Sequence, residues 1–107
     1  MEIGDVWLAY FPFEDDPLQG KVRPVVVIDF NDETTLVMSI KVTTHEPRTQ
    51  FDVQLLDYLG AGLFKPSVAR VSHVIDLPLR DFRKWLGRLS MVDIVAIQTR
   101  LREFMDA

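Results

Sequence analysis

With 107 residues, 48% of them hydrophobic and 26% charged, the chain has the make-up of one ordinary soluble globular domain and is too short for two. It has no cysteine, which excludes disulfides, thiolate catalysis and cysteine-bound zinc. Twelve basic against sixteen acidic residues give a net charge of −4, which disfavours indiscriminate wrapping of duplex DNA and still permits a local cationic groove.

The N-terminal residues Met1 to Asp5 are acidic and carry no apolar run of the signal-peptide kind. No stretch reaches the roughly 18–20 apolar residues of a membrane helix, so a cytoplasmic protein with no membrane partner is expected. Val6-Trp7-Leu8-Ala9-Tyr10-Phe11 is dense in β-branched and aromatic residues and predicts a first strand, ended by Pro12. A polar loop follows, with the consecutive acids Glu14, Asp15 and Asp16. These read as a solvated turn, since they lack the spaced ligand pattern of a divalent-ion loop.

Strand two is predicted over Arg23 to Phe30, and Asn31-Asp32-Glu33 is a turn. Pro24 fixes its own φ and biases Arg23 toward extended backbone, which would hold the guanidinium at the strand's edge for a two-pronged contact with a phosphate or carboxylate. Strand three runs from Thr34 to Val42, a second loop from Thr43 to Thr49, and a fourth strand from Phe51 to Leu56. Asp57 to Leu63, with two glycines, is a turn. A fifth strand is predicted over Ser67 to Asp76, broken by Leu77-Pro78-Leu79.

Arg80 to Leu86 is expected to form a short helix or helical turn packing Phe82, Trp85 and Leu86 inward and stopped by Gly87. The last segment predicts the clearest helix. Ser90 with Asp93 three residues on resembles a capping box, and Ile94, Ile97, Leu101 and Phe104 recur at helical spacing. Five short strands and a terminal helix describe a mainly β, β-rich α+β domain, built as a small barrel or strongly curved sheet.

Polar residues gather at strand ends. Lys21 and Arg23 open strand two; Lys41, Thr43, Thr44, His45 and Arg48 lie at or beyond the end of strand three; Lys65, Ser67, Arg70, Ser72 and His73 surround strand five. If strands two and three form an antiparallel hairpin, Arg23 and Thr43 become neighbours across twenty residues of sequence.

The blocks Gly4-Asp5-Val6-Trp7, Phe11-Pro12-Phe13, Lys21 to Ile28, Lys41 to Arg48, Ala61 to Ser67 with Arg70, and Leu86-Gly87-Arg88-Leu89-Ser90 together resemble the PemK/MazF family, the toxins of bacterial type II toxin–antitoxin systems. The resemblance spans nearly the whole chain, 1–107, in the right order. It implies an SH3-like small barrel of about five to seven strands with a C-terminal helix. It also implies a homodimer, a cognate antitoxin partner, and cleavage of single-stranded RNA with no metal or other cofactor.

In that family the Arg before Pro and a Thr or Ser ending the third strand form the catalytic pair, here Arg23 and Thr43, with Thr44 the adjacent alternative. His45 belongs to the residue type whose ordinary pKa, about 6.5, suits proton exchange. Lys21, Thr44, Arg48, Lys65 and Arg70 are the expected RNA contacts. Some relatives carry an acid two residues after the fifth-strand arginine. Ser72 stands there in this chain with His73 beside it, so the proton carrier is open among Thr43, Thr44, His45 and His73. A non-catalytic binding module of the same fold, either like the gyrase-inhibiting barrels or an inactive toxin paralogue, is the alternative.

Overall fold

The computed structural model describes all 107 residues as one antiparallel sheet with a C-terminal helix. The strands are β1 (Asp5–Pro12), β2 (Gly20–Asn31), β3 (Leu36–Thr43), β4 (Val53–Gln54), β5 (Val68–Pro78) and β6 (Phe82–Arg88), followed by α1 (Met91–Asp106). Their order across the sheet is β4-β5-β3-β2-β1-β6. Six strands fall within the expected range. The sheet curls without closing, because the edge strands β4 and β6 do not pair with each other. Bulges bend it at Val6/Trp7 and Leu8/Ala9 in β1, between Val27 and Asp29 in β2, and between Ile40 and Val42 in β3.

Alternation along the strands divides the apolar residues between two faces. Val6, Val26, Ile40, Val42, Ala69 and Val71 join Ile97 of α1 in the larger core. Ala9, Phe11, Val25 and Leu77 form a smaller cluster on the other face. No helix is long and apolar enough to cross a membrane.

Three local expectations are corrected. The segment expected as a short helix or helical turn over Arg80 to Leu86 has a single 3₁₀ turn only at its start, Leu79–Asp81, and is otherwise strand β6. Phe82, Trp85 and Leu86 fit an i, i+3, i+4 stripe, but β1 offers an unpaired edge, and pairing Trp7 with Trp85 and Ala9 with Phe82 satisfies that edge's backbone groups. The expected break at Leu77-Pro78 does not occur, because β3 pairs with β5 as far as Leu36 opposite Pro78. The fourth strand shrinks to Val53–Gln54, since the residues before it curve away in a loop.

Only half of the expected capping box forms. The Ser90 hydroxyl caps α1 by accepting from the Asp93 backbone N–H. The Asp93 carboxylate, one methylene shorter than a glutamate, does not turn back to Ser90. It accepts instead from the backbone N–H groups of Leu56 at 2.9 Å and Asp57 at 3.0 Å, pinning the loop after β4 to the helix. Asp93 is 1% exposed. Asp93→Ala would strand two backbone donors and is expected to cost roughly 3 kcal/mol of stability in a urea melt, with α1 keeping its Ser90 cap.

Candidate functional site

The groove begins where two strands part. β2 pairs with β1 from Gly20 to Val26, but with β3 only from Val25 to Asn31. Pro24 has no N–H to give, and it occupies the first position past the last shared pair, Val25 opposite Lys41. Continuing that register by two residues sets Arg23 opposite Thr43. Arg23, Lys41 and Thr43 therefore lie on one face of the sheet, the face opposite Val26, Ile40 and Val42 and away from α1.

The cleft between the parted strands has a volume of about 610 Å³, and all eight expected residues line it. Lys21 and Arg23 come from β2, and Thr43 ends β3. Thr44, His45 and Arg48 come from the loop after β3, Lys65 from the loop before β5, and Arg70 from β5. Lys41 completes the wall. The sequence places it in the polar cluster at the end of strand three but not among the expected catalytic or RNA-binding residues. No acid lines the cleft. Of its six cations only Arg70 is ion-paired.

Arg23 is the least satisfied of them. Its Nε is buried without a hydrogen-bond partner, and its guanidinium carbon lies 6.0 Å from the Phe11 ring centroid. Burial lowers its pKa, and no carboxylate acts in the opposite direction. Lys41 is lowered by burial and then by Arg23, with Glu14 opposing and Arg70 and Arg48 adding to the repulsion. Two partly dehydrated like charges thus stand on adjacent strand ends, and an oxyanion between them would relieve both.

Thr43 Oγ1 accepts from the backbone N–H of His45 at 3.2 Å, so the start of the loop is tied to the hydroxyl that faces the groove. Its own proton stays available to donate. Thr44 lies one residue beyond the strand, and His45 is exposed at the mouth.

Asp52 is the residue that sequence reasoning missed. Its side chain is wholly buried. Oδ2 accepts from Arg70 Nη1 at 2.8 Å and from the backbone N–H groups of Arg48 and Thr49, and Oδ1 accepts from Ser72 Oγ at 3.1 Å. Burial alone would raise its pKa. The Arg48 N–H, the Arg70 guanidinium and the Ser72 hydroxyl outweigh burial and hold it below the ordinary carboxylate value. Arg70, expected as an RNA contact, lines the cleft with one end of its fork committed to Asp52. The only sequence signal for Asp52 was an acid on the less apolar face of the Phe51–Leu56 segment.

A second cavity of about 330 Å³ shares Arg23 and Lys41 with the first and is closed by Phe11, Glu14 and His73. No three His, Asp or Glu side chains converge as a metal-ligand set.

A family model described as PemK-like, MazF-like toxin of type II toxin–antitoxin systems matches residues 2–105. Comparison with curated proteins finds no match. Among solved structures, a MazE–MazF complex from Deinococcus radiodurans superposes with a TM-score of 0.77 at 22% identity, covering 99% of this chain and 96% of that one. The Mycobacterium tuberculosis toxin MazF-mt6 gives 0.73 at 21% identity, with 95% and 96% covered. An endoribonuclease from a mycobacterial species, in complex with its cognate antitoxin, gives 0.74 at 16% identity, with 96% and 92% covered. With the open six-stranded sheet, the terminal helix and a family match over almost every residue, the chain belongs to the PemK-like, MazF-like toxins of type II toxin–antitoxin systems.

Proposed function

We propose that the protein is a metal-independent endoribonuclease that cuts single-stranded RNA at particular sequences and is held inactive by a cognate antitoxin. The observation that carries this reading is Arg23: a half-buried guanidinium with no carboxylate partner, in a cleft that it shares with the strand-end Thr43 and that is lined by cations and no acids. A phosphodiester supplies the missing anion, and the chain's net charge of −4 makes the local excess of cations the more pointed.

In this reading the substrate's own 2′-hydroxyl attacks the adjacent phosphorus, leaving a cyclic phosphate and a 5′-hydroxyl. Arg23, with Lys41 beside it, stabilises the charge that accumulates on the non-bridging oxygens, and Thr43 donates to the same phosphate. His45, at the mouth on the loop tied to Thr43, delivers the proton to the leaving 5′-oxygen. Lys21, Thr44, Arg48 and Lys65 follow the backbone to either side, and Arg70 braces the loop while sharing the wall. A cation-lined cleft suits an unpaired strand, whose backbone can bend to bring its phosphates to it. The solved relatives that carry a cognate antitoxin or a MazE partner support an antitoxin partner for this chain, and a cleft of cations without acids suits an acidic segment of it. Trp85, Met91, Val92 and Val95 are large apolar residues left exposed, which supports a homodimer. The expected compartment is the cytoplasm.

The test is incubation of the purified protein with a long single-stranded RNA in EDTA. Discrete fragments ending in 2′,3′-cyclic phosphate are expected. Intact RNA under these conditions, with the protein folded, would return the chain to the class of binding modules.

A further inference from the structure

We infer that His73, oriented by Glu14, is the general base that takes the 2′-hydroxyl proton, and that the Arg23–Lys41 pair holds the phosphate between it and His45. This rests on the endoribonuclease reading and assigns the half of the proton transfer that the sequence left open.

Placement comes first. Arg23 and Lys41 line both cavities; His45 belongs to one and His73 to the other. A phosphate held on the shared pair therefore borders both cavities, each of which carries one imidazole. In-line displacement needs that arrangement, because the attacking and leaving oxygens sit on opposite sides of phosphorus.

A single ring sets the spacing on the His73 side. The Phe11 centroid lies 6.0 Å from the Arg23 guanidinium carbon and 5.1 Å from the His73 ring, which meets it edge-on at 84°. Phe11 is 1% exposed, so the ring that both groups rest against is fixed in the core.

The tautomer follows from the contact with Glu14. His73 Nδ1 lies 2.9 Å from Glu14 Oε1. A carboxylate can only accept, so Nδ1 carries the proton and Nε2 keeps its lone pair. The charged groups around the ring are Glu14 and Asp15 on the β1–β2 loop, Arg23 on β2, Lys41 on β3 and Arg70 on its own strand. Burial, joined by Lys41, Arg23 and Arg70 against Glu14, holds the imidazole below its ordinary pKa and therefore neutral at neutral pH. The Glu14 contact is then one made by a neutral ring, and it leaves a base ready to act.

The step balances without a co-reactant. Nε2 takes the 2′-hydroxyl proton as the O2′–P bond forms; the P–O5′ bond breaks with its electron pair on O5′, which takes the proton from His45. Exchange with solvent resets both imidazoles.

The experiment is single-turnover cleavage in EDTA across roughly pH 5 to 9, using an RNA that the wild type cuts. His73→Gln is expected to slow cleavage by about 10²-fold or more and to erase the acidic limb of the pH–rate profile. It should bind an uncleavable RNA, 2′-deoxy at the cut site, within about twofold of wild type. Glu14→Gln removes the carboxylate that favours the charged ring, so the acidic limb should move to lower pH. Added imidazole should restore cleavage to His73→Ala and leave Arg23→Ala inactive.

A mere clasp between Glu14 and His73 would instead lower binding or stability together with rate and gain nothing from imidazole; that pattern overturns the assignment. So does His73→Gln cleaving at the wild-type rate with its acidic limb in place. In either case Arg23→Ala still reports on the RNase reading by itself: wild-type cleavage abolished by that variant leaves the reading standing while the role of His73 falls.

Discussion

Arg23→Ala is expected to lower single-turnover RNA cleavage by about 10²–10³-fold, the loss typical of removing one preorganised charged donor. The folded state should not suffer. In the wild type the guanidinium is partly stripped of water, its Nε is buried without a partner, and it repels Lys41. Removing it ends a cost to the empty protein, so the urea midpoint should stay level or rise, by on the order of 0.5 kcal/mol. Arg23→Lys restores the charge without the planar fork and should recover only part of the rate. A variant that loses activity and stability together would mean that Arg23 is structural, and the site assignment would fail.

Asp52→Ala is expected to be the most damaging single change to the fold, at about 3–5 kcal/mol, because it leaves the buried Arg70 without its counter-charge. It also strands the backbone N–H groups of Arg48 and Thr49 and frees the Ser72 hydroxyl. The loop that carries His45 and Arg48 would lose its anchor, so whatever protein remains folded should bind RNA more weakly.

The same carboxylate sets a pH dependence. Its pKa in the folded protein lies below the ordinary value of about 3.9, so between the two values the native state binds fewer protons than the unfolded chain. Its contribution is whole above about pH 4 and drains away as the pH falls through the folded value. Urea midpoints measured down through this window should fall for wild type, and the slope should be shallower for Asp52→Asn, which has no proton to take up there.

The parts of the molecule legible in the sequence were those where local chemistry and final environment agree. Trp7 to Phe11 and Val25 to Ile28 could hardly be anything but strands. One turn and one hairpin were enough to expect Arg23 and Thr43 near each other, and both line one cleft, but that the β2–β3 ladder ends at Val25 and Lys41 was not foreseen. What could not be read depended on partners distant in sequence. Phe82, Trp85 and Leu86 satisfy a helical stripe and a bulged edge strand equally well, and only the free edge of β1 decides between them. Asp93 looked like half of a capping box because the backbone of Leu56 and Asp57, more than thirty residues away, has no signature in the sequence. Asp52 was invisible for the same reason: an acid becomes an anchor only when a fold places Arg70 and Ser72 around it.

The parting of β2 and β3 also bears on how such a protein can change over generations. Beyond Val25 and Lys41 the two strands share no rungs, so Lys21, Arg23, Thr43 and the loop from Thr44 to Arg48 project from backbone that the β2–β3 ladder does not depend on. If these residues meet RNA and antitoxin as proposed, substitutions among them could alter what is recognised while leaving that ladder intact. The same division would let the two partners drift together to a new mutual fit without rebuilding the β2–β3 hairpin.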